Sequence, residues 1–169
     1  MLVLGGVRAG KSAFAVARAA ERGERIAFVA TAEAGDGEMA ARIARHRAAR
    51  PPDWTTVEVP VALAGALADL EGKADAVVVD CLNLWVANLL DREPALTDEQ
   101  LVVRAAALLA QRSFALILVS NEVGWGVHPE TAIGRRFRDA LGVVNRAVAA
   151  GADEVVLLVA GCPLWLKTP

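Results

Sequence analysis

Two kinds of apolar pattern alternate along this chain. Short apolar runs typical of strands occupy residues 2–4, 25–30, 76–80, 115–120 and 155–160, and the stretch at 54–59 is also strand-like. Longer stretches with the spacing of amphipathic helices occupy residues 11–22, 38–50, 61–70, 82–90, 98–112 and 131–150. This alternation predicts an α/β fold, in which a mostly parallel sheet carries helices on both faces and the last strand ends at residue 160.

A specific motif follows the first predicted strand. Residues 5–12 read Gly-Gly-Val-Arg-Ala-Gly-Lys-Ser and match the pattern G-x-x-x-x-G-K-[ST]. Glycines let backbone N–H groups close around phosphate oxygens, and the start of the following helix adds unpaired N–H groups. We expect Lys11 to reach the terminal phosphates and the Ser12 hydroxyl to hold Mg²⁺. The strand before the motif and the helix after it favour a phosphate-binding loop over an ordinary glycine turn.

Further candidates lie at the carboxyl ends of predicted strands, where the ligands of parallel sheets collect. Asp80 ends a buried run, at the position where phosphate-loop enzymes keep the carboxylate that supports Mg²⁺. Thr31 and Ala32 follow the second strand and fall where a nucleotide would lie. The glycine-rich loop at residues 121–130 is of the kind that carries function. It begins Asn-Glu-Val-Gly, which differs from the Asn-Lys-x-Asp guanine reader of switch GTPases.

One histidine on the predicted helix at residues 38–50 has two interpretations. At 100° per residue, His46 shares a face with Ile43, which favours a core histidine. Arg42 and Arg50 stand one turn on either side, so the ring would lie between two guanidinium groups that bind phosphate oxygens. Flanking cations favour the neutral, nucleophilic imidazole.

Composition narrows the class of protein. The 169 residues are 55% hydrophobic with a net charge of −2, which predicts one domain over residues 1–169. No basic stripe is present, so a nucleotide is favoured over nucleic acid as the anionic partner.

Cys81 and Cys162 form no C-x-x-C pair, and we expect both to be small buried residues in a reducing compartment. No signal segment or membrane span is visible, which predicts a soluble cytoplasmic protein.

Beyond the phosphate loop, further short motifs follow in a fixed order. They are Ala-Thr-Ala at 30–32, Glu-Met-x-x-Arg-Ile-x-x-His at 38–46, Arg50, Trp-x-Thr-x-Glu at 54–58, Asp-Cys-Leu-x-Leu-Trp at 80–85, Asn-Glu-Val-Gly-x-Gly at 121–126, Phe-Arg-Asp at 137–139, Gly142 and Asn145. The ordered set covers nearly the whole chain and is far more specific than the phosphate loop alone. It resembles the bifunctional adenosylcobinamide kinase/adenosylcobinamide-phosphate guanylyltransferase family.

The resemblance implies a three-layer P-loop NTPase fold similar to the recombinase-type ATPase core, and a homotrimer. It implies that ATP or GTP phosphorylates the aminopropanol hydroxyl of the corrinoid adenosylcobinamide. GMP then passes from GTP to adenosylcobinamide phosphate through a histidine–GMP intermediate, and pyrophosphate is released. By motif, the catalytic residues are His46 and Lys11, and Ser12 and Asp80 hold Mg²⁺. The implied nucleotide contacts are Gly5, Gly6, Val7, Arg8, Ala9, Gly10, Lys11, Ser12, Ala30, Thr31, Ala32, Arg47, Ala48, Ala49, Arg50, Glu58 and Asp80.

The two implied reactions need different substrate positions. A neutral His46 attacks the α-phosphate in line, and the corrinoid phosphate then displaces the histidine. The kinase step instead needs attack on a γ-phosphate near Lys11, so movement of the helix at 38–50 would reconcile the two steps. Glu58 is either a reader of the guanine N1–H and N2–H donors or a solvent-facing glutamate on a strand.

Three positions depart from the family pattern. Ala9 stands in place of a usual serine, Asn83 in place of a threonine, and His128 in place of an aliphatic residue. Backbone donors remain in the loop, so we expect nucleotide binding to survive. A small-molecule P-loop kinase with a single activity is the alternative, but it leaves His46 without a role. A non-enzymatic nucleotide switch would need a guanine-reading motif, and the chain shows none of the usual form.

Overall fold

The computed structural model describes residues 1–33, 37 and 51–168. Within them the strands are β1 (Leu2–Gly5), β2 (Ile26–Ala30), β3 (Thr55–Glu58), β4 (Ala76–Asp80), β5 (Ala115–Val119), β6 (Val155–Val159) and β7 (Cys162–Lys167). They form one sheet in the order β3-β2-β4-β5-β1-β6-β7. Neighbouring strands run parallel, except that β7 is antiparallel to β6.

The described helices cover both faces of this sheet. They are α1 (Lys11–Ala20), α2 (Leu63–Asp69), α3 (Leu82–Arg92), α4 (Asp98–Leu108) and α5 (Ala132–Gly151). Successive residues of a strand point to opposite faces, so Val77 and Val79 join the core beneath α2–α5. Val78 joins the other core, where α1 contributes Ala15 and Ala19. The predicted α/β fold with a mostly parallel sheet and helices on both faces is confirmed.

The apolar pattern did not predict β7. All six of its residues are exposed and one is Pro163, which is tolerated at a sheet edge because the edge side needs no ladder donor. Ala160 and Gly161 make the turn from β6 with φ of 52° and 82°. Cys162 is exposed on this strand and Cys81 is buried, so the prediction that both cysteines are buried is wrong for Cys162.

The predicted helix boundaries agree with the structure to within a few residues. The largest difference is at α4, which ends at Leu108 rather than at residue 112. Its start is fixed by a capping box, in which the Thr97 hydroxyl accepts from Gln100 N and the Gln100 side chain accepts from Thr97 N. None of the described helices has the length and hydropathy needed to cross a bilayer. The helix predicted at 38–50 lies outside the described residues.

Candidate active site

The loop between β1 and α1 has the backbone conformation that the glycine motif predicts. Gly5 has a φ of 152°, and a Cβ atom there would lie 2.6 Å from the carbonyl oxygen of Leu158. Gly10 precedes the helix with a φ of 95°, and Arg8 has a φ of 57°. Ala9 N donates to Gly6 O at 3.3 Å, which closes the turn. The chain therefore curls tightly between the strand and the helix, as phosphate loops do.

Lys11 folds back over this loop. Its Nζ donates to Gly6 O at 2.7 Å, and the residue is only 8% exposed. Burial of an ammonium group is costly unless it is hydrogen-bonded, so the loop carbonyl stabilises this position. Ser12 is half-buried in the first turn of the helix, whereas Gly6 and Val7 are exposed on the loop. The lysine, the hydroxyl and the exposed backbone thus lie in one short segment.

The turn between β6 and β7 supports the phosphate loop from the other side. Gly161 N donates to Ala9 O at 3.1 Å. A Cβ atom on Gly10 would lie 3.6 Å from the Gly161 Cα, which shows how closely the two segments approach. Sequence reasoning did not predict this contact. The only local sign of it is Gly161, and the apolar pattern did not predict β7, the strand that follows this glycine.

Strand register brings several predicted site residues to the same edge of the sheet. Ala30 pairs with Glu58 on one side and with Asp80 on the other. Asp80 in turn pairs with Val119, which also pairs with Val3 of the strand that leads into the phosphate loop. Glu58, Ala30, Asp80 and the loop therefore line up along the carboxyl edge, where nucleotides bind in parallel sheets.

Hydrogen bonds of Thr31 join the end of β2 to the segment after β4. The residue is fully buried, and its hydroxyl donates to Cys81 O at 2.7 Å and accepts from Cys81 N at 2.8 Å. Asn88 Nδ2 donates to Thr31 O at 2.9 Å and to Pro60 O at 3.1 Å. The Thr31 side chain is therefore engaged within the protein, next to Asp80. The predicted contact between Thr31 and a nucleotide stays a prediction, as does that of the neighbouring half-buried Ala32.

Cys81 lies beside the predicted metal-supporting carboxylate but has an ordinary structural role. Burial, followed by the negative charge of Asp80, raises the pKa of the Cys81 thiol to about 12. The thiol therefore remains protonated at neutral pH, and a protonated thiol is a poor nucleophile. This side chain packs in the core on the α1 face of the sheet.

The loop after β5 is anchored to both the phosphate loop and α5. Glu122 N donates to Gly5 O at 3.2 Å. Asn145 of α5 accepts from Ser120 Oγ at 2.6 Å and donates to Asn121 O at 3.0 Å. Sequence reasoning marked the glycine-rich loop as functional and matched Asn145 to a motif, but it did not predict that the two are bonded.

The far end of this loop is held by arginines of α5. Arg135 Nη1 donates to Pro129 O at 3.0 Å and to Glu130 O at 2.7 Å. Arg138 Nη1 lies 2.7 Å from His128 Nδ1. His128, which stands where the family pattern has an aliphatic residue, is therefore part of this contact. Between the two anchored ends, Trp125 is 75% exposed.

Part of the predicted site lies in a segment that the structure does not describe. His46 and its flanking Arg42 lie outside the described residues, as do Arg47, Ala48, Ala49 and Arg50. Their roles stay predictions. Among the residues that are described, no group of three histidine, cysteine, aspartate or glutamate side chains is arranged to hold a metal ion.

Comparison with known proteins identifies the family. A family model described as cobinamide kinase / cobinamide phosphate guanyltransferase matches residues 1–166. The chain is 45% identical over 169 residues to the bifunctional adenosylcobalamin biosynthesis protein CobP of Pseudomonas aeruginosa, covering 98% of this chain and 96% of that protein. It is 38% identical over 181 residues to the bifunctional adenosylcobalamin biosynthesis protein CobU of Escherichia coli, covering 99% of each. The resemblance seen in the motifs is thereby confirmed, and this chain belongs to the cobinamide kinase / cobinamide phosphate guanyltransferase family.

Proposed function

We propose that this chain phosphorylates adenosylcobinamide with ATP or GTP and then transfers GMP from GTP to the phosphorylated corrinoid. The products of the second step are adenosylcobinamide-GDP and pyrophosphate. The observation that carries this proposal is the phosphate loop at residues 5–12, with Lys11 folded over it, at the same sheet edge as Asp80 and Glu58. Membership of the family supports both activities.

In the kinase step, the loop would hold the β- and γ-phosphates through its backbone N–H groups. The Lys11 ammonium donates to a neutral carbonyl oxygen in the structure. A phosphate oxygen is a stronger acceptor because the resulting hydrogen bond is charge-assisted. We therefore expect Lys11 to give up its hydrogen bond to Gly6 O and to donate to a phosphate oxygen of the bound nucleotide instead. The ammonium group would then stabilise the charge that develops on the transferred phosphoryl group.

The residues present suit a magnesium ion. Ser12 offers a hydroxyl and Asp80 a carboxylate, both hard oxygen donors, and Mg²⁺ takes its remaining ligands from water and phosphates rather than from a protein cage. When bound, Mg²⁺ would neutralise charge on the phosphate oxygens. Ser12 and Asp80 would hold it in place.

In the guanylyl step, we propose that His46 forms the covalent intermediate. Its neutral imidazole nitrogen bonds to the α-phosphorus while the bond to the pyrophosphate oxygen breaks. The phosphate of the corrinoid then displaces the histidine. Arg50 and the neighbouring residues 47–49 would bind the nucleotide, and Glu58 would accept the two guanine N–H donors. The motif that contains His46 and the position of Glu58 beside Ala30 support these assignments.

We also propose a homotrimer, as the family resemblance implies, and a cytoplasmic location, as the sequence pattern predicts. Sedimentation equilibrium would test the assembly, with a mass three times that of the chain as the expected result and a monomer or dimer as the contrary one.

Product analysis tests the proposed function directly. Purified protein is incubated with Mg²⁺ and adenosylcobinamide, first with ATP and then with GTP, and the corrinoids are separated by chromatography. We expect adenosylcobinamide phosphate with ATP, followed by adenosylcobinamide-GDP and pyrophosphate once GTP is added. Phosphorylation without any guanylyl transfer would instead support the single-activity kinase.

A further inference from the structure

Glu122 is a carboxylate next to the phosphate loop that the proposed roles leave unused. Its backbone N donates to Gly5 O at 3.2 Å, so the residue lies against the first residue of the loop. Its Oε1 accepts from Asn145 Nδ2 at 3.4 Å. The side chain is half-buried, which leaves part of it accessible to a bound substrate.

Asn145 belongs to a buried polar network that fixes this position. It is only 6% exposed, and its Oδ1 accepts from the fully buried Ser120 hydroxyl. Its amide nitrogen donates to both Asn121 O and Glu122 Oε1. Ser120 N also donates to Val3 O at 2.9 Å, which ties the network to β1. A buried amide that satisfies its donors and acceptor in this way rigidifies its surroundings.

The kinase step requires a group of this kind. A substrate hydroxyl loses its proton when its oxygen bonds to the γ-phosphorus, and protein kinases place an aspartate to receive that proton. Other carboxylates at this edge have other partners or roles. Glu33 accepts two hydrogen bonds from Arg92 at 2.8 and 2.9 Å. Asp80 is proposed to support Mg²⁺ and Glu58 to read guanine, so among the described residues at this edge Glu122 is the carboxylate that remains beside the loop.

We propose that Glu122 is the catalytic residue that accepts the proton of the corrinoid hydroxyl in the kinase step, and that Asn145 positions it. The hydroxyl oxygen bonds to the γ-phosphorus, and the bond to the β–γ bridging oxygen breaks. The nucleoside diphosphate leaves with that electron pair, and the proton passes to the Glu122 carboxylate and then to water. This inference rests on the proposed kinase activity.

Glu122→Gln tests the catalytic part. Glutamine keeps the oxygen that accepts from Asn145 but is not a useful proton acceptor, so the loop is expected to stay in place. The kinase kcat should fall about 10²-fold or more, the size of a typical general-base contribution, while the KM for the corrinoid changes little. Glu130→Gln, a change of the same type at the far end of the same loop, is the matched control and should retain the wild-type kcat.

Two further measurements separate the possible failures. Guanylyl transfer to preformed adenosylcobinamide phosphate should be retained in Glu122→Gln, because the reacting oxygen there belongs to a phosphate and no hydroxyl proton has to be removed. A wild-type protein without kinase activity would overturn the proposed function itself. An active wild type together with an equally active Glu122→Gln variant would overturn the inference alone. A loss of nucleotide affinity equal to the loss of kcat would also overturn it, because Glu122 would then act in binding.

The role of Asn145 is tested by combining variants. Asn145→Ala should lower the kinase kcat in the wild-type background but cause no further loss in the Glu122→Gln background, because it acts through that carboxylate. Equal losses in both backgrounds would contradict a positioning role. If the alanine variant does not fold, Asn145→Asp serves instead. It keeps an acceptor for Ser120 but lacks the donor to Glu122, and the same non-additive result is expected.

Discussion

Replacement of Thr31 with valine isolates the hydrogen bonds that fasten β2 to the segment after β4. Valine has nearly the same shape as threonine, but it lacks the hydroxyl that donates to Cys81 O and accepts from Cys81 N. The Cys81 carbonyl keeps a second donor, Trp85 N, at 3.2 Å. The Cys81 N–H is therefore the group that loses its partner, at a site where Thr31 is fully buried.

The expected destabilisation follows from these contacts. A buried donor left without a partner costs about 1–3 kcal/mol, and the lost bond to the carbonyl adds about 1 kcal/mol, which gives a total of about 2–4 kcal/mol. With a urea m-value of about 2 kcal/mol per M, in the middle of the range for small proteins, the midpoint should fall by about 1–2 M. Trp54 and Trp85 are buried, so tryptophan fluorescence reports the unfolding transition.

Thr31→Ser is the matched control, because it keeps the hydroxyl and removes only a methyl group. We expect a loss of about 1 kcal/mol from the buried methyl. Equal stability of the valine and serine variants would refute the reasoning that the hydroxyl bonds matter. Titration of the folded valine variant with nucleotide then tests the sequence prediction separately, because a large loss of affinity would indicate a direct contact from Thr31.

Four further changes test other parts of the account. Lys11→Ala should lower kinase turnover by about 10²-fold or more, because the terminal phosphates lose their cation, and unchanged turnover would remove the loop from the chemistry. Asp80→Asn should raise the Mg²⁺ concentration needed for half-maximal activity; an unaltered requirement would contradict its metal role. Glu58→Gln should lower the preference for GTP over ATP in guanylyl transfer, and a constant ratio would exclude it as the guanine reader. Hydrogen bonds from Arg25 lower the pKa of Asp75 to about 2, so the stability from this pair is present above pH 4 and is lost as the pH falls towards 2. The Tm of Asp75→Asn should therefore fall less steeply than that of the wild type as the pH is lowered from 4 towards 2. An equally steep fall in both proteins would count against the ion pair.

The sequence predicted the features that depend on residues close together along the chain. The run at Ala76–Asp80 fits a buried strand because its first four residues are all aliphatic, and the structure has that strand with the same bounds. The glycines at 5 and 10 indicated the tight loop because positive φ angles need them. Asp80 at the sheet edge followed from the polarity of a parallel strand.

Features that depend on distant partners were not predicted. Thr31 and Cys81 are 50 residues apart, and Asn145 and Ser120 are 25 residues apart, so no local pattern joins them. The β7 strand has a proline and exposed residues throughout, and its place is decided by pairing with β6. These contacts arise from the folded topology, which brings together side chains that lie far apart in the sequence.

The central claim is that one chain performs both phosphoryl transfer and guanylyl transfer, and that the second reaction passes through His46. Covalent labelling with GTP is the most direct test of this claim. Protein is incubated with Mg²⁺ and GTP labelled at the α-phosphate, denatured in alkali, digested and mapped by mass spectrometry. The account predicts release of pyrophosphate and one GMP per chain on His46, with a bond that is stable in alkali and lost in mild acid. No retained label, or label on His128, the other histidine of the chain, would contradict it.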